Sequence, residues 1–104
     1  MSFPVQTELS DQLLADVKRE LRITTDAFDT DVEMLIATAK SDLKLSGVGA
    51  AAVDACAVPI IRMAIIVYCK ATFGLDNADS EKYMTSFRSL ETALALSSEY
   101  GASA

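Results

Sequence analysis

The sequence predicts an all-α fold: a compact bundle of about four helices with a flexible N-terminal arm and C-terminal tail. Three observations carry this expectation. Apolar residues recur at helical spacing in separate stretches of the chain. Only 4 Gly and 2 Pro occur among 104 residues, which leaves room for long regular elements. The β-branched run around Ile60–Val67 lacks the alternation of a half-buried strand. The length fits one domain spanning 1–104, with its core at about 10–97.

Residues 1–8 have no apolar period and read as an arm. Ser10 is the expected N-cap of a first helix at about 11–20, with Leu9 and Leu14 as a hydrophobic staple. Leu13, Leu14, Val17 and Leu21 form its apolar side, and Asp16, Lys18, Arg19 and Glu20 its polar side. A second helix starts at Asp29 or Thr30, where Thr30 and Glu33 have capping-box spacing and Asp31 suits the positive helix end. Val32, Leu35, Ile36, Ala39 and Leu43 give its stripe. Met34, Ala37, Thr38 and Ser41 lie off that stripe, either as a plain exposed face or as a surface for a neighbouring subunit. Ser46–Gly49 ends the helix.

Residues 50–57 are Ala-rich and ambiguous. Pro59 fits the first position of the next helix, at about 59–72, since the N–H it lacks would have no partner there. Ile60, Ile61, Met63, Ala64, Ile65, Ile66, Val67 and Tyr68 make this helix apolar nearly all round, so it is expected at the centre of the fold or covered by partners. After Phe73–Asn77, Asp79 or Ser80 caps a last helix at about 80–97. Tyr83, Phe87, Leu90 and Leu94 give its core period, widened by Met84, Ala93 and Leu96. Residues 98–104 read as a frayed tail.

The composition excludes several chemistries. The chain has no His and no Trp, and its net charge is −6. His-based triads and His-containing metal sites are therefore out, and direct wrapping of nucleic acid or binding to an anionic membrane is disfavoured. Cys56 and Cys69 are too few for a structural zinc site; one disulfide between them is formally possible, but they read as two reduced core or semi-core thiols. The start lacks a basic region followed by an apolar one, so no signal peptide is read there, and the product is expected to be soluble and cytosolic. No cofactor, metal or enzymatic activity is expected. Glu20 with Asp26 or Asp29 could be drawn as paired carboxylates, but each reads more simply as a helix-surface or capping residue. Asp76, Asn77 and Asp79 alternate like calcium-loop ligands, without the turn Gly or the bidentate Glu.

Arg62 stands out, because it interrupts the most apolar helix on a stripe with Ile66, Cys69 and Phe73. A buried guanidinium needs a partner, which is either an acid of the same chain or one across a subunit interface. Tyr83 and Phe87 fit the core period, whereas Tyr100 lies beyond it and is a candidate for docking into a partner. The candidate subunit or partner interface is thus Met34, Thr38, Arg62, Ile66 and Tyr100.

The run Leu14–Ile23 resembles the helix followed by Leu-Arg-Ile that opens members of the tailed-phage head–tail connector family. An acidic turn at 24–31 and the Val32–Lys40 helix continue the likeness, as does Pro59–Ile66 with its Arg62 and Tyr68. The similarity covers about residues 11–96. The short segment 48–57 departs from longer channel-reaching loops in some members. The resemblance implies a non-catalytic subunit of a ring of about twelve copies. Such a ring sits beneath the portal protein, extends the DNA channel and receives the next connector, stopper or tail protein. DNA passes through it without sequence-specific binding, and no membrane is involved. The implied location is the virion's head–tail interface, after assembly in the host cytoplasm. Twelve copies at −6 each would put about −72 on the ring, which suits a wall that DNA slides past. The residues alone leave a second reading open, a small dimeric helical adaptor or regulatory binding module.

Overall fold

The computed structural model describes the backbone of residues 6–74 and 78–102, and the side chains of the same residues from 12 onward. Five helices follow in order: α1 (Gln6–Leu21), α2 (Asp29–Leu45), α3 (Ala50–Ala55), α4 (Pro59–Thr72) and α5 (Ser80–Leu96). The fold is all-α, and the only β pairing among the described residues is an isolated antiparallel bridge between Val48 and Gly101.

α4 is the hub. It packs against α5, α2 and α1, as its apolar sequence requires. Ile61, Ala64, Ile65 and Cys69 are fully buried along it. Around them close Leu13 and Val17 of α1, Val32, Ile36, Ala39 and Leu43 of α2, Val53 of α3, and Phe87 and Leu94 of α5. Tyr68 meets Phe87 edge-on at 5.0 Å between ring centres. The molecule is flat, measuring 41 × 39 × 17 Å, so no second layer covers the outer helix faces.

The predicted bounds of the α2 and α4 helices hold, with Pro59 at the start of α4. Three local expectations need correction. α1 begins at Gln6, so residues 6–8 are helical rather than arm, and Ser10 lies inside the helix instead of capping it. α2 begins at Asp29 behind Phe28 with no side-chain cap, so Thr30 is a first-turn residue. Asp79 precedes α5, likewise without a side-chain cap bond. The ambiguous segment is a six-residue helix, α3, which closes in a left-handed Cys56.

The expected frayed tail is docked through Ala102. Gly49 N–H donates to Tyr100 O at 2.7 Å, and Ala102 N–H donates to Gly47 O at 2.6 Å. Ser97 turns the chain, its hydroxyl accepting from Tyr100 N–H at 2.8 Å and donating to Leu94 O at 3.0 Å. Tyr100 packs on the core cluster. These pairings form a clip that ties the end of α5 to the loop after α2.

Candidate functional site

The five candidate interface residues differ in exposure. Met34 is 67% exposed on α2, and the neighbouring Thr38 is exposed with its hydroxyl donating to Met34 O at 2.8 Å. Ile66 is half-buried against the core, and so is Tyr100. Arg62 is engaged within the chain. Its guanidinium pairs with Asp16 of α1 and donates to Cys56 O at 2.9 Å, where α3 ends. Of the two partners the sequence left open for Arg62, the structure thus supplies the intrachain one. Burial disfavours the Asp16 carboxylate, but hydrogen bonds from Arg62 and then Arg19 outweigh it and hold its pKa below the usual value.

Exposed apolar side chains mark the surface more broadly. Phe28, Met34, Leu45, Ile60, Met63 and Leu96 are all substantially exposed, Leu45 and Leu96 by more than 80%. Leu96 was expected in the core. It instead lies at the last position of α5, beyond the turn that buries Leu94. Phe28 stacks edge-on against Phe73 at 5.7 Å. A cleft of about 310 Å³ opens nearby, lined by Asp31, Met34, Leu35 and the end of α4 at Thr72–Gly74. Met34 was the legible member of this surface, because it sits off the stripe of its helix. Leu45 carries the same signal, standing past the Leu43 end of that stripe.

Ion pairs among the described residues brace one element against another. Lys18 holds Asp26 at 3.4 Å and Asp29 at 2.7 Å, across the α1–α2 turn. Lys44 reaches Asp54 at 2.6 Å, and Lys70 reaches Glu20 at 3.5 Å. The carboxylates considered for paired acid chemistry are therefore bracing partners. Arg88 donates to Asp42 and Glu91 together. Sequence reasoning missed this cluster, although Glu91 falls on the core period between Phe87 and Leu94 and so had to be buried.

Cys56 and Cys69 are both free and buried. Burial pushes the Cys69 thiol up to about 12, so it is not a nucleophile. No group of three or more acidic or Cys side chains able to hold a metal occurs among the described residues. Asp76 and Asn77 of the calcium-like pattern lie outside them. No helix among them is long and apolar enough to cross a membrane.

Searches of curated proteins and of solved structures found no match. A family model described as phage connector protein matches residues 13–101. The matched stretch opens at Leu13, a fully buried residue of α1, and closes at Gly101 in the clip. It therefore takes in nearly the whole helical core, and the chain belongs to the phage connector protein family.

Proposed function

We propose that this chain is a structural subunit of a ring at the head–tail junction of a tailed phage. The ring docks on the portal, extends the DNA channel and offers the attachment surface for the next connector, stopper or tail component. The observation that carries the reading is the connector family match over 13–101. Three features support it. The subunit is only 17 Å thin in one direction, which leaves broad helix faces for neighbours. Large apolar side chains stand in solvent on α2, α4 and α5, and side chains of this kind gain most from being covered. The charge of −6 suits a channel wall that does not hold DNA.

Met34 and Thr38 form the proposed subunit contact on α2, with Ile60 and Met63 contributing from α4. Arg62, Ile66 and Tyr100 serve assembly indirectly, by fixing the shape of the subunit that presents those contacts. A ring needs two different faces on every copy, and helices exposed on a flat body provide them.

The test is co-assembly with the portal protein of the same phage, imaged by electron microscopy. A closed ring seated on the portal is the expected result, with Met34→Asp and Met63→Asp subunits folding but failing to join it. A stable dimer indifferent to the portal would overturn the proposal in favour of a dimeric adaptor.

A further inference from the structure

The junction between α2 and α5 carries two acids and one base. Arg88 Nη1 donates to Asp42 Oδ1 and to Glu91 Oε1, each at 2.9 Å. Arg88 and Asp42 remain partly exposed, but the Glu91 side chain keeps only 7% of its surface. Its second oxygen, Oε2, is sealed from solvent and accepts no hydrogen bond among the described residues. Two carboxylates facing one guanidinium leave one negative charge uncompensated in a buried place, which is expensive.

The groups around Glu91 come from three helices. α2 contributes the Asp42 carboxyl and the Ser46 hydroxyl, α5 contributes Arg88, and α4 brings Tyr68 within the field of Asp42 and Arg88. None of these, apart from Arg88, offers a positive charge. Arg88 and Asp42 reach solvent, but the Oε2 atom of Glu91 does not, and a proton settles there more readily than any larger cation. Burial and then hydrogen bonding with Asp42 raise the pKa of Glu91. At Asp42, burial acts in the same direction, but hydrogen bonds with Glu91 and Arg88 prevail and its pKa falls. Glu91, with 7% of its side chain exposed against 24% for Asp42, is the better seat for the proton, and Asp42 for the charge.

We propose that Asp42 and Glu91 share one proton in the folded chain, carried on Glu91 and donated toward Asp42, and that this proton locks the α2–α5 junction that supports the C-terminal clip. The charge then balances, with neutral Glu91, negative Asp42 and positive Arg88. The link to the clip is short. Ser46 caps α2, and Gly47 and Gly49 beyond it hold Ala102 and Tyr100 by backbone hydrogen bonds. On the other side, Ala95 lies one turn past Glu91 and its Cβ would sit 3.7 Å from a Cβ built on Gly47.

A raised pKa stabilises the fold below the unfolded value, and that contribution is lost as pH rises through the folded one. Ionising Glu91 should therefore loosen the junction and the clip. The experiment follows the Glu91 carboxyl carbon by NMR on the glutamate-labelled full chain, with urea unfolding and amide exchange measured in parallel. The Glu91 signal is expected to titrate at higher pH than in the urea-unfolded chain, and Asp42→Asn should move its midpoint down. Protection of the Gly49 and Ala102 amides should fall as Glu91 ionises, and should hold steady over the same range in Glu91→Gln. A Glu91 midpoint at or below its unfolded value overturns the proposal, and this reading needs no variant to fold. Amide protection that ignores Glu91 ionisation overturns the lock on the clip.

Discussion

Gly101 is required by contact rather than by conformation. A Cβ built there would lie 2.5 Å from Ala95 O and 2.7 Å from Ser97 O, both backbone atoms that cannot swing aside. Gly101→Ala should therefore expel the clip, destabilising the chain by about 1–3 kcal/mol as an overpacked site does. Urea unfolding reads the loss, and amide exchange at Ala102 should rise with it. If stability and protection both survive, the clip is not held by this close approach. The Arg62–Asp16 pair makes a second prediction through pH. The folded Asp16 pKa lies below its unfolded value, so its carboxylate favours folding above the unfolded pKa. That contribution fades as pH falls through the folded pKa. Asp16→Asn should lower stability near neutral pH by about 1–3 kcal/mol, the scale of a charged hydrogen bond losing its partner. The gap to the parent chain should close in acid, and a gap that stays constant with pH would count against the pair. The two cysteines, both at 0% exposure, should stay unmodified by a thiol reagent until the chain is unfolded. Rapid native labelling of either would contradict the core as described.

At the scale of elements, two helices end the same way with different residues. α2 stops with Gly47 N–H donating to Lys44 O and Val48 N–H to Leu43 O, and Gly47 takes a φ of 104°. α1 stops with Arg22 N–H donating to Arg19 O and Ile23 N–H to Lys18 O, and Arg22 takes a φ of 61°. Both are Schellman closures, but only one has the residue that adopts the left-handed region without strain. Arg22 is exposed, so Arg22→Gly should stabilise the chain by about 1 kcal/mol. Equilibrium urea titration decides it, and a loss of stability would mean that the Arg22 side chain has a role beyond the turn. These endings also show what was legible in the sequence. α2 and α4 were readable because a strong apolar stripe coincides with a clear boundary, Ser46–Gly49 in one and Pro59 in the other. α1 was cut short because Ser10 has the chemistry of a cap, whereas the helix begins at Gln6, well before it. α3 has six residues, too few to show a period. The tail misled because its order comes from backbone bonds to Gly47 and Gly49, far back in the chain, which composition cannot report. The surface was half readable. Met34 announced itself by lying off its stripe, whereas Phe28 and Phe73 meet only after α2 and α4 have packed. Arg62 was visible as an anomaly, but its partner in α1 required the fold.

The whole molecule combines a thin body, exposed apolar side chains and an excess of acid, with 15 Asp and Glu against 9 Lys and Arg. These features set the terms of self-assembly. Copies carrying −6 each repel one another, so closure of the proposed ring would work against a long-range electrostatic cost. Most of the cations are already committed within the subunit: Lys18, Arg19, Lys44, Arg62, Lys70 and Arg88 all hold acids of their own chain. Few remain to form ion pairs across an interface. The driving force left to the proposed ring would be burial of exposed side chains such as Met34, Ile60 and Met63, at about 25 cal/mol per Å² of apolar area covered. Salt separates these contributions, because it screens repulsion between exposed charges and leaves apolar burial intact. Raising salt from about 50 mM to about 500 mM should therefore increase the fraction of chain in the assembled state, with the Debye length falling from roughly 14 Å to roughly 4 Å. Analytical ultracentrifugation at constant protein concentration measures that fraction. Rings that come apart as salt rises would show that ion pairs between subunits hold them, and would move the contact surface from the apolar faces of α2 and α4 to the charged ones.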